Sequence, residues 1–227
     1  MQITEISHQL YGLDNQHLIQ RGNIALTAET WQAFERMASA AAQAGIQLAI
    51  CSGYRSFERQ CSIWNDKAAG KRPVYDAHNH LVDAADYTDA ELVDLILTWS
   101  ALPGCSRHHW GTDLDVFDAA AISKTELQLV NSEYLPQGPC HSLYLWLLEH
   151  SHSYGFYFPF QTGLSGVSAE PWHLSYYPQS QPLLTAFDID TLQQIITNTN
   201  LALKSAVLCR LPQLVDEYVR RVAPPPQ

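Results

Sequence analysis

The chain has 227 residues, 46% of them apolar, which is enough to fill a sizeable core in one large domain with or without an added element. With 23 acidic against 13 basic side chains its formal charge is −10, a balance that repels phosphate backbones and argues against nucleic acid as a partner. Its five cysteines (Cys51, Cys61, Cys105, Cys140 and Cys209) are odd in number and form no C-x-x-C pair, which argues against both a disulfide framework and a cysteine zinc site.

The first twenty residues, "MQITEISHQLYGLDNQHLIQ", contain neither a basic n-region nor an unbroken apolar run, and no later segment is apolar enough to cross a bilayer. With the cysteine usage, this predicts a cytoplasmic location. From Thr27, "TAETWQAFERMASAAAQAG" places Trp31, Phe34, Met37 or Ala38, and Ala41 at helical spacing and stops at Gly45. "IQLAICSGYRS" reads as a short buried strand running into a turn, after which Ser56 caps a helix that ends near Gly70. "TDAELVDLILTWSALPG" opens with Thr88 and Glu91 at capping-box spacing and closes at Pro103 and Gly104.

That helix delivers the chain to "SRHHWGTDLD", residues 106–115, and "DLDVFD" within and beyond it alternates like a strand. "CHSLYLWLLEHSHSYG" is a further helix ended by Gly155, and "GFYFPF" and "GVSAEPWHLSYY" read as paired strands around the turn "QTGLSG". From Asp190 the pattern is helical, broken at Pro212, and predicts a C-terminal appendage over 181–227 packed on a main domain over 1–180. The closing "APPPQ" reads as a frayed tail. Helices come first, then an antiparallel part without sustained β-α-β alternation, so the expected class is α+β.

A catalytic zinc takes three N or O ligands and leaves a position for water. His108 and Asp115 are seven apart, with Gly111 between them to let the backbone turn. "EPWH", Glu170 to His173, adds an imidazole and a carboxylate beside Trp172, and Pro171 supplies the bend that lets residues three apart face one site. The triplet "HNH", His78 to His80, is read as a polar surface loop and a chance match to a nuclease motif, given the acidic balance.

Taken in order, Ser52-Gly53-Tyr54-Arg55-Ser56 with Gln60, then Ser106, His108, Gly111 and Asp115, then Glu170, Trp172 and His173 resemble the VanY-type D-alanyl-D-alanine carboxypeptidases of the M15 zinc metallopeptidase family. The likeness spans roughly residues 45–180 and implies a small antiparallel sheet flanked by helices, of the Hedgehog/DD-peptidase kind. It further implies one zinc per chain held by His108, Asp115 and His173, with Glu170 as general base. Arg55 would hold the oxyanion or the substrate carboxylate, while Ser106, Gln60 and Trp172 would contact a peptidoglycan stem peptide or muropeptide. The expected reaction is removal of a terminal D-alanine, with L,D-cleavage favoured over D,D-cleavage. A zinc-stabilised binding module and an endopeptidase are the alternatives.

Asp113 departs from the family pattern, which often has a small residue there. On a strand it shares a face with Asp115, so it adds charge near the metal, orients a ligand imidazole or raises the pKa of a neighbouring carboxylate. His108 is chosen over the adjacent His109 because its spacing to Ser106 and Gly111 matches. A basic patch of Arg55, Arg59 and Arg107 is expected to draw in anionic peptides against the net field of the protein.

Overall fold

The structure is a computed structural model that describes residues 5–77 and 80–226. His78 and Asn79 of the "HNH" triplet lie outside the described residues. In chain order the elements are α1 (Glu5–Leu10), β1 (Ile19–Arg21), β2 (Ile24–Leu26), α2 (Ala28–Gln43), β3 (Leu48–Ser52) and α3 (Phe57–Ala68). Next come β4 (Val74–Tyr75), β5 (Leu81–Val82), α4 (Asp89–Leu97), β6 (Asp113–Asp118), α5 (His141–His150), β7 (Phe156–Tyr157) and β8 (His173–Tyr176). The chain closes with α6 (Tyr177–Thr185), α7 (Ile189–Thr197), α8 (Lys204–Cys209) and α9 (Leu211–Val215). The class is α+β, as the order of elements in the sequence indicates.

Three helix starts follow from side-chain oxygens that satisfy first-turn amides. Thr27 accepts from the Thr30 amide and Ser56 from the Arg59 amide, while Thr88 and Glu91 close a reciprocal capping box. Proline explains one difference from the sequence expectation. Pro178 sits in the first turn of α6, where its missing N–H costs nothing, so the chain after Tyr176 is helix rather than a longer strand. The helical pattern does break at Pro212, which sits in the first turn of α9 just past Arg210, the residue that ends α8, and a further break precedes α8, where Leu203 adopts a left-handed conformation with φ of 59°.

The sheet that positions the site is antiparallel with strand order β3-β6-β8-β7. Its registers pair Ser52 with Asp115, Asp115 with His173, and Asp113 with Ser175. Alternation then sorts β6 and β8 by face. Leu114, Val116 and Leu174, all fully buried, face the cluster formed with Trp31 and Met37 of α2 and Leu143 and Leu147 of α5. Each such side chain stabilises the fold by about 1.5–3 kcal/mol. Asp113, Asp115, His173 and Ser175 therefore share the opposite face.

A second apolar cluster joins Trp64 of α3 and Leu92, Val93 and Ile96 of α4 to Leu192 and Ile196 of α7, Val207 of α8, and Leu211 and Val215 of α9. The cluster runs across residue 180, so the C-terminal helices contribute to the same core as α3 and α4. The Trp64 indole donates to the Ala202 carbonyl at 2.9 Å, which fixes that packing. Among the described residues no helix is long and apolar enough to cross a membrane.

Candidate active site

Asp115 and His173 are direct cross-strand partners on one sheet face, the arrangement that brings Cβ atoms to about 5 Å. Nδ1 of His173 lies 3.2 Å from Oδ1 of Asp115. His108 reaches the same point from the 3-10 turn Arg107–Trp110, whose last residue is followed by Gly111 at φ of 70°. A Cβ at Gly111 would lie 2.3 Å from Leu18 Cδ2, so both backbone conformation and space call for glycine where the chain enters β6. Nε2 of His108 is 3.4 Å from Oδ2 of Asp115, and the His108 and His173 rings meet edge to face at 4.9 Å.

Glu170 joins them through a tight turn in which its carbonyl accepts the His173 amide at 3.1 Å, with Pro171 inside the turn. This bend lets two residues three apart face one point, and Oε2 of Glu170 comes within 3.4 Å of His173 Nδ1. The turn also buries Trp172 against Tyr134, with ring centroids 5.6 Å apart, and Trp172 is among the residues that line the cleft.

Arg55 is held by the segment that carries His108. Its amide donates to the His108 carbonyl at 3.1 Å, and its own carbonyl receives Nδ1–H of His109 at 2.6 Å. His109 Nε2 accepts the Gly104 amide at 3.1 Å, so both ring nitrogens are occupied and His109 is a structural tie. Burial pushes the His109 imidazolium down to about 3, which keeps the ring neutral as this bonding requires. The Arg55 guanidinium, pulled down by burial and opposed by the charges of Asp115 and Glu170, donates to Gln60 Oε1 at 3.0 Å.

Two expectations from the sequence change here. Gln60 is fully buried, and its amide NH2 is spent on the Ala101 carbonyl at 2.6 Å. It therefore orients Arg55 and does not border the cleft as a substrate contact would. Arg107 is only 4% exposed and donates from Nε to Asp113 Oδ2 at 2.7 Å, so its charge is neutralised internally and it is no part of a steering patch. Lys67, on α3, also lines the cleft with Arg55, and one lysine on a helix carries no signal in the sequence. Phe160, from the aromatic segment given no role, packs its ring 4.7 Å from that of His173. Ser106 is buried and borders the cleft.

Electrostatically the centre is strongly coupled. Burial would raise the Asp115 carboxyl, but the adjoining His108 and His173 hold it well below the usual carboxylate range. Burial would discharge His173, yet Asp113, Asp115 and Glu170 around the ring outweigh it and lift its imidazolium well above the ordinary value. Asp115 Oδ1 and His173 Nδ1, which face each other in the site, are buried without hydrogen-bond partners. Buried polar atoms left unpaired cost roughly 1–3 kcal/mol each, and a cation shared between these two side chains would satisfy them. The ligand atoms offered by His108, Asp115 and His173 lie within 4.8 Å of one another. The 3.2 and 3.4 Å contacts are close to the edge, about 3.3 Å, of a tetrahedron with zinc-ligand bond lengths.

This set lines a cleft of about 810 Å³, together with Glu170 and Arg55. A buried His-Asp-His cluster with a free carboxylate and a guanidinium, opening to a cleft on an α+β scaffold, defines a candidate single-metal hydrolase. The family described as "VanY: D-alanyl-D-alanine carboxypeptidase" matches residues 23–179. A D-alanyl-D-alanine carboxypeptidase of Enterococcus faecalis is 33% identical over 135 residues, which cover 58% of this chain and 41% of that enzyme. Among solved structures, VanYB in complex with D-alanine-D-alanine has a TM-score of 0.53 at 23% identity, covering 80% of this chain and 89% of that one. A mutant of the vancomycin-resistance D,D-pentapeptidase VanY in complex with Zn(II) has a TM-score of 0.52 at 24% identity, covering 86% and 92%. The chain belongs to the VanY D-alanyl-D-alanine carboxypeptidase family, and it is a peptidase.

Proposed function

We propose that the chain is a zinc-dependent carboxypeptidase that hydrolyses the peptide bond before the terminal D-alanine of peptidoglycan stem peptides. The observation that carries this reading is the convergence of His108, Asp115 and His173 within 4.8 Å, with Glu170 left outside the set and facing the same point. The Zn(II) and D-alanine-D-alanine bound to structural relatives support it.

Zinc, when bound, would polarise the scissile carbonyl and make water acidic enough to attack near neutral pH. Glu170 takes the proton of the attacking water on its free carboxylate oxygen and passes it to the nitrogen of the departing D-alanine. Arg55, fixed by Gln60, His108 and His109, offers its fork to an anionic oxygen of the substrate, either the terminal carboxylate or the oxyanion. Phe160 and Trp172 enclose the reacting centre and limit competing water. A purely binding module has no use for a carboxylate placed like Glu170, so hydrolysis is the better reading. The test is incubation of zinc-loaded protein with tetrapeptide and pentapeptide stems, with mass detection of released alanine. Release from either supports the reading and separates L,D- from D,D-cleavage. Zinc-loaded protein that releases none from both contradicts it.

A further inference from the structure

Asp113 lies two residues before Asp115 on β6, on the same face and opposite Ser175. Its Oδ2 is 2.9 Å from Nε2 of His173, while the other ring nitrogen faces Asp115 and Glu170. The imidazole is thus held between two aspartates of one strand. Asp113 itself is fully buried and firmly fixed. Oδ2 also accepts Nε–H of Arg107 at 2.7 Å, and Oδ1 accepts the hydroxyls of Thr112 and Ser175, each at 2.9 Å. Arg107 is fixed in turn: its Nη2 donates to Ser175 Oγ at 2.6 Å, and its guanidinium lies 4.6 Å from the Trp110 ring centre.

Burying an ion pair this deeply is weak evidence of a stabilising role, because desolvation offsets much of the attraction. The network does, however, impose a specific condition on His173. A neutral imidazole that offers the Nδ1 lone pair to a metal must carry its proton on Nε2. Both Asp113 oxygens already accept from Arg107, Thr112 and Ser175, so toward Nε2 at 2.9 Å Asp113 acts as an acceptor, which selects that tautomer and fixes the plane of the ring. Arg107 Nε donates to the same Asp113 oxygen that faces His173, and the Thr112 and Ser175 hydroxyls donate to the other, so the carboxylate is held in this orientation. A small residue at position 113 would leave Nε2 without this acceptor.

We propose that Asp113, clamped by Arg107, Thr112 and Ser175, is a positioning residue that fixes the tautomer and orientation of His173 and thereby strengthens metal binding. The proposal rests on the zinc-site reading above. It is tested by chelator competition for zinc with Asp113→Asn, which removes the charge but keeps an acceptor. The double variant Arg107→Met/Asp113→Ala removes the acceptor without stranding a buried cation. Zinc affinity should fall by about tenfold or more in Asp113→Asn and toward about 100-fold in the double variant. The visible spectrum of the cobalt-loaded protein should change in both. Nitrogen-detected NMR of zinc-loaded wild type, which needs no variant, should find His173 protonated at Nε2. Metal on Nε2 with the proton on Nδ1 would overturn the proposal, as would unchanged zinc affinity in either folded variant. Wild-type protein that binds no zinc would instead remove the underlying reading. Wild type that binds zinc and hydrolyses, beside variants of equal affinity, would remove only this proposal.

Discussion

Replacing Glu170 with glutamine isolates the proton-transfer step. The side chain is 14% exposed, and its Oε2 lies 3.4 Å from His173 Nδ1, outside the candidate ligand set of His108, Asp115 and His173. Glutamine keeps the shape and removes the basic carboxylate, so kcat should fall by about 10²–10⁴, the range expected for a lost general base. This corresponds to roughly 3–5 kcal/mol of transition-state stabilisation at 1.36 kcal/mol per decade. Metal affinity should not fall with it. Glu170 is one of the three carboxylates that favour the proton on His173, so losing it eases the competition between proton and metal. The assay is alanine release at saturating substrate, with zinc measured on the same samples. Turnover within about threefold of wild type at full zinc occupancy would refute the role given to Glu170. Loss of zinc would make it a ligand instead.

Three further outcomes follow from the same geometry. The raised His173 imidazolium means that the metal-free site is protonated near neutral pH, so zinc uptake should release about one proton. The stability that this proton gives the metal-free fold is complete below the unfolded histidine value of about 6.5 and is lost as pH rises through the folded value. In that window zinc affinity should rise about tenfold per pH unit, measured calorimetrically in buffers of different ionisation enthalpy; a flat profile would contradict it. Gln60→Ala should lower kcat/KM by about tenfold, roughly 1.4 kcal/mol, through Arg55 alone. In an Arg55→Ala background it should add nothing, and an additive loss would place Gln60 on the substrate. Ile196→Ala, at a fully buried position in the cluster shared by α3, α4 and α7, should cost about 2–5 kcal/mol in urea unfolding. A cost under about 1 kcal/mol would show α7 to be peripheral to the core.

What could be read from the sequence divides along physical lines. Helix starts at Thr27, Ser56 and Thr88 were legible because a cap is a local hydrogen bond between residues three apart. The strand "DLDVFD" was legible because alternation maps directly onto two faces, and it correctly placed Asp113 beside Asp115. The candidate metal set was legible only through the spacing of separate motifs, since no local rule links His108 to His173. Burial was the blind spot. Gln60 and Arg107 look like solvated helix and turn residues, and only the packing of distant segments shows that one holds Arg55 and the other neutralises Asp113. The hairpin of β1 and β2 is three residues per strand, too short for periodicity to register. Proline at α6 and α9 signals a helix start as readily as an end, and tertiary context decides which.

The most direct test of the central claim is an anomalous difference map collected at the zinc edge from crystals of the zinc-loaded protein. One peak per chain within about 2.0–2.2 Å of donor atoms from His108, Asp115 and His173, with Glu170 beyond bonding distance, is the predicted result. A peak elsewhere, or none in protein shown to be folded and metal-loaded, would contradict the account.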